Sequence, residues 1–84
     1  MYRLHISDES FVHPESEWYF NKSQNIRKWF EQEFITWYDK NIYNQNRVKE
    51  FYNLNYEPTY SQLLDCAQAE LTHYCDIEEI KTVD

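Results

Sequence analysis

The chain has 84 residues, carries a formal net charge of −7, is 42% hydrophobic and 19% aromatic, and contains no glycine. A single domain of that length buries only about 60% of the surface its unfolded chain exposes, so a few large rings must supply most of the core. The missing glycine excludes the standard P-loop, dinucleotide fingerprint and nucleophile elbow, each of which needs glycine where backbone turns sharply or approaches a ligand closely.

Charge is unevenly placed, with −3 over residues 1–21, +3 over 22–49 and −7 over 50–84. No repeat or linker rich in Pro, Gly or Ser divides the chain, which reads as one domain over 1–84. No apolar run approaches the ~20 residues of a membrane helix, and Met1 to Ser10 lacks the basic and apolar regions of a signal peptide. A cytoplasmic protein without a membrane partner is expected.

In chain order, Tyr2, Leu4 and Ile6 alternate with Arg3 and His5, as in a short half-buried strand. His13-Pro14-Glu15 reads as a turn or helix start, and Trp18-Tyr19-Phe20 is an apolar cluster without a decisive period. From Ser23, read as an N-cap, to about Asn41, residues Ile26, Trp29, Phe30, Phe34, Trp37 and Tyr38 recur at helical spacing. Ile35 and Ile42 lie on the other side of that helix, and with the surplus of rings they suggest a homodimer. Asn44-Gln45-Asn46 interrupts the pattern, and residues 46–56 fit a helix or a strand equally well.

Pro58 ends what precedes it, and Thr59-Tyr60-Ser61-Gln62 has the form of a capping box opening a second helix over 60–75. Its apolar stripe is Tyr60, Leu63, Leu64, Ala67, Leu71, Tyr74 and Cys75. Asp76-Ile77-Glu78-Glu79 resembles another capping box and predicts a short helix over 77–81. The fold expected is a compact, mainly α domain of two to four helices, with an α+β arrangement carrying one or two short N-terminal strands as the alternative. Asparagine is expected to replace glycine at φ > 0, with Asn41, Asn44, Asn46, Asn53 and Asn55 as candidates.

No catalytic, cofactor or metal site is assigned. His5, His13, His73, Cys66 and Cys75 lack the paired spacing of a zinc site. The two cysteines, placed on one helix about 13.5 Å apart, are too distant for a disulfide. Serines, histidines and carboxylates are present without a local signature joining them. Lys22, Arg27, Lys28, Lys40, Arg47 and Lys49 interleave with rings, but the rings are accounted for by the core and the net charge repels phosphate, so direct nucleic-acid binding is not expected. The acidic C-terminal half is the preferred binding surface, with Asp65, Glu70, Asp76, Glu78 and Glu79 engaging a partner protein with a basic surface. Glu33 breaks the apolar stripe between Trp29 and Trp37. Either that strip is an exposed partner face, or Glu33 reaches Lys22, Lys40 or a residue on another element.

In composition the chain resembles small phage or mobile-element proteins that disable host defence or transcription machinery, nucleic-acid mimics among them; no motif ties it to a family. The function expected is that of a non-enzymatic acidic protein that inhibits or regulates a nucleic-acid-handling protein. The alternatives are a small enzyme subunit and a structural or assembly protein, each acting as a homo-oligomer.

Overall fold

A computed structural model describes residues 1–81. Its elements are β1 (Tyr2–Ile6), β2 (Ser16–Phe20), α1 (Ser23–Lys40), α2 (Ile42–Phe51), α3 (Tyr60–Tyr74) and β3 (Cys75–Glu79). The three strands form one antiparallel sheet in the order β2-β1-β3, with Tyr2 opposite Phe20 on one side and Glu79 on the other. The architecture is therefore α+β, and the mainly α expectation holds only in part. No helix among the described residues is long and apolar enough to cross a membrane.

The period-two pattern of β1 places Leu4 and Ile6, both fully buried, beneath Ile26, Phe30 and Leu71 of the helices. A second buried cluster, Phe34, Tyr38, Val48, Leu63, Cys66 and Ala67, joins the three helices to one another. Val12, from the loop between β1 and β2, packs against both clusters. In α1 the buried ridge is Ile26, Phe30, Phe34 and Tyr38, one residue per turn. Ile35 packs against the helical cluster, whereas Ile42 is exposed.

Several helix ends differ from the sequence reading. Lys22, not Ser23, occupies the N-cap position of α1, and its side chain makes no capping bond. The break between α1 and α2 falls at Asn41, whose extended backbone turns the chain while its side chain accepts the Asn44 N–H at 2.9 Å. The polar triplet that looked like an interruption lies inside α2. Asn44 is buried there because its amide donates to the Trp37 carbonyl at 2.7 Å, one of the carbonyls α1 leaves without an intrahelical partner. The capping box of α3 forms as expected, with Gln62 N–H donating to Thr59 Oγ1 at 3.2 Å and Thr59 N–H to Gln62 Oε1 at 2.8 Å. The buried stripe of α3 runs through Leu63, Cys66, Ala67, Glu70 and Leu71, while Tyr60, expected in the core, is 59% exposed.

The helix expected over 77–81 is replaced by β3. A helix that short closes few hydrogen bonds for the nucleation it requires, whereas β1 offers a complete second edge. Main-chain bonds from Ser7 N–H to Tyr74 O and from Ile80 N–H to Met1 O, each 2.8 Å, bracket the resulting ladder. Asp76 and Glu78 thus alternate with Cys75 and Ile77 across the two faces of a strand.

Of the five candidate asparagines, only Asn53 takes positive φ, at 55°. It ends α2 in a Schellman motif, with Leu54 N–H donating to Lys49 O at 2.7 Å and Asn53 N–H to Glu50 O at 3.3 Å. A β-branched residue fits that conformation poorly. Asn53→Val should lower unfolding stability by about 1–2 kcal/mol, and Asn53→Gly should preserve it, as read from urea midpoints at constant slope.

Candidate functional site

Directly paired strand residues share a face, so the register divides the sheet into two surfaces. Tyr2, Leu4, Ile6, Trp18, Phe20 and Cys75 belong to the helix side. The outer surface carries Arg3 and His5 at its centre, Glu17 and Tyr19 on one flank, and Asp76 and Glu78 on the other. The Arg3 guanidinium bonds to Glu78 and lies 3.9 Å from Glu17. His5 lies 3.7 Å from the Glu15 carboxylate through Nε2 and 3.9 Å from that of Asp76 through Nδ1. Four carboxylates thus surround one guanidinium and one imidazole. Because the Asp76 side chain is 92% exposed, these pairs are largely screened by water. Their main effect is to hold negative charge on one flat, accessible surface.

The predicted partner residues do not form one site. Asp76 and Glu78 lie together on the outer sheet face. Glu79 is exposed opposite Tyr2, on the other parity of the strand. Asp65 is exposed on α3 beside a shallow apolar cavity of about 260 Å³ that Tyr52, Leu54 and Cys66 also line. Glu15 and Glu17, which the sequence does not mark as site residues, complete the acidic face. Their period-two spacing with Tyr19 was the available signal.

Glu70 is a correction of a different kind, because it is fully buried and contributes nothing to a surface. Its Oε1 accepts from Ser10 Oγ at 2.5 Å and from the Phe11 N–H at 2.8 Å, tying the β1–β2 loop to α3. Ser10 Oγ in turn accepts the Val12 N–H at 3.2 Å. The loop cannot satisfy these donors in a sheet or helix, and the carboxylate that satisfies them is drawn inside. Burial pushes the Glu70 carboxyl above its ordinary 4.5, opposed by the Ser10 hydroxyl, by the Phe11 and Val12 N–H groups and by Arg47.

The same loop settles the place of Glu33. His13 stacks on Trp29, with ring centroids 5.6 Å apart and an interplanar angle of 11°, and its Nε2 lies 3.3 Å from Glu33 without hydrogen-bond alignment. Phe11 stacks on Trp37 at 5.8 Å. The Trp29-Glu33-Trp37 strip is therefore partly covered by the loop, and the half-buried Glu33 carboxylate lies within ion-pair distance of His13. On the far side of Phe11 an open cleft of about 360 Å³ is lined by Phe11, Arg47, Glu50 and Phe51. The Arg47 guanidinium lies 4.8 Å from the Phe11 ring centroid, and it donates to the Tyr43 hydroxyl at 3.3 Å.

Both cysteines are free thiols. Burial raises the Cys66 pKa, and it pushes that of Cys75 up to about 12 with help from Glu70 and Asp76, so neither is an activated nucleophile at neutral pH. Burial and the bond to Glu57 likewise push Tyr38 up to about 12. Among the described residues no group of three or more His, Cys, Asp or Glu side chains could hold a metal ion. Comparisons with protein-family models, curated proteins and solved structures gave no match.

The raised Glu70 pKa means that the folded chain holds this proton more tightly than the unfolded chain. The group's contribution is most favourable below about pH 4.5, declines as pH rises from there through the folded value, and is constant above it. Glu70→Gln keeps an acceptor for Ser10 and Phe11 and should remove that decline, so the stability difference, native minus variant, is larger near pH 4 than near pH 7 in urea titrations. Glu70→Ala leaves both donors without an acceptor and should destabilise by about 1–3 kcal/mol throughout.

Proposed function

We propose that this protein is a non-enzymatic binding protein whose outer sheet face engages a basic surface of a partner, and that the partner is a nucleic-acid-handling protein that this face inhibits or regulates. The observation that carries the reading is the gathering of Glu15, Glu17, Asp76 and Glu78, from both flanks of the sheet, around Arg3 and His5. Such a surface steers a cationic partner over a Debye length of about 8 Å and competes with phosphate for the same side chains. The ordered pairs within the face add a second property. With the strand register they space the acidic positions along the sheet, which gives the surface a pattern as well as a charge.

The test is capture of partners from a host-cell lysate by the native protein and by a Glu17→Gln, Asp76→Asn, Glu78→Gln variant, with Asp65→Asn as the control on a different surface. A nucleic-acid-binding protein should be retained by the native chain and by the control, should be lost at least tenfold in the triple variant, and should be displaced by its own nucleic acid. Equal retention by all three forms would remove the sheet face from consideration.

A further inference from the structure

The outer face ends at a strand that has a neighbour on one side only. In the order β2-β1-β3, the second edge of β3 is open, and among the described residues no hydrogen bond from elsewhere in the chain closes it. The bonds Ser7 N–H to Tyr74 O and Ile80 N–H to Met1 O fix the phase of the β1–β3 ladder. Hydrogen-bonded and non-hydrogen-bonded pairs alternate along an antiparallel ladder. The His5–Asp76 and Arg3–Glu78 pairs are therefore the hydrogen-bonded ones, and Ile77, between them, turns both its N–H and its C=O toward the open edge.

The side chains around that open peptide form a pattern. Ile77 is 50% exposed on the helix side of the sheet, and Asp76 and Glu78 project from the opposite face on either side of it. An added strand paired through Ile77 would set its central residue against an uncovered apolar side chain and its two neighbours beside two carboxylates. A second copy of β3 fits this badly. Antiparallel pairing about Ile77 would bring Asp76 of each copy beside Glu78 of the other, and like charges directly opposite are destabilising. A segment with basic residues at those two positions turns both repulsions into attractions.

We propose that the partner docks by strand addition: an extended segment reading basic–apolar–basic pairs antiparallel with β3 as a fourth strand, its apolar residue against Ile77 and its basic residues beside Asp76 and Glu78. The proposal rests on the reading of the outer face as the site for a basic partner, and it specifies the form that partner takes. Main-chain bonds to Ile77 supply the attachment, and the alternation of side chains supplies the selectivity.

Three synthetic peptides of equal charge test it on the full chain: one alternating lysine and valine, the same peptide N-methylated at its valines, and a scrambled peptide with its lysines in one block. The alternating peptide should bind, with the largest amide shifts in residues 75–79 and at least tenfold slower hydrogen exchange at the Ile77 amide. N-methylation removes the donors that face β3 and should weaken binding at least tenfold, and the scrambled peptide should bind no better than the methylated one. Equal binding of all three would overturn strand addition while leaving a charge-only site on the sheet face. Failure of all three would overturn strand addition as well. The proposed function is judged separately, by the capture experiment with the Glu17, Asp76 and Glu78 variant.

Discussion

Much of this structure depends on where the chain between β1 and β2 is tied. The Glu70 carboxylate, buried in α3, accepts from Ser10 and Phe11, which precede it by 60 and 59 residues. With that point fixed, Phe11 falls on Trp37, Val12 reaches both buried clusters and His13 lies flat on Trp29. The loop then delivers the chain into β2 at the register that puts Glu17 beside Arg3 on the outer face. A single buried acid therefore organises core and surface together. Its Oε1 is held by donors that would otherwise lack acceptors, while its buried Oε2 has no partner, in keeping with a carboxyl whose pKa burial raises.

The absence of glycine shapes the helix boundaries in a comparable way. Asn41 begins α2 through a side-chain acceptor and an extended backbone, Asn53 ends it in the left-handed region, and Thr59 with Gln62 opens α3. Only at Asn53 does the residue stand where glycine's backbone freedom would serve; Asn41 and Thr59 supply side-chain acceptors that glycine lacks. Side-chain caps also restrict the chain more than glycine does in the unfolded state, so the same boundaries are reached with less conformational entropy to lose.

What could be read from the sequence was what nearby residues decide. The ridge of α1, the capping box of α3 and the alternation in β1 are patterns within a few residues, and each corresponds to an element in the fold. The short segment after Tyr74 reads as a helix because its local signals, an acid followed by Glu78 and Glu79, favour a helix start, whereas its partner strand lies 69 or more positions away. The candidate site was legible to the same extent. Asp76 and Glu78 stand out as acids in the sequence, but Glu17 joins them only through the sheet register and Glu15 only through its approach to His5 from just before β2. Glu70 was indistinguishable from a surface acid, since its position at the edge of the apolar stripe says nothing about donors from a distant loop. Asp65 lies on α3, away from the strand that carries the other two.

The central strand of the sheet, β1, precedes both of its neighbours, and one of them, β3, is the last of the described elements. Arg3 and Glu78, in contact across the sheet, are separated by 75 positions. Bringing such distant segments together takes loop-closure entropy that local helices do not require, and proteins dominated by such pairings fold more slowly. During synthesis β1 emerges before both of its neighbours and meets β2 across a short loop, but its other edge stays bare until β3 has been made. For that interval the nascent protein carries an open hydrophobic strand, Leu4 and Ile6 included, and β3 acts as the late closing piece. Because Arg3 and His5 on β1 match Glu78 and Asp76 on β3, a β3 from another copy fits the bare edge as well as the chain's own, and prompt closure is what keeps the pairing within one chain.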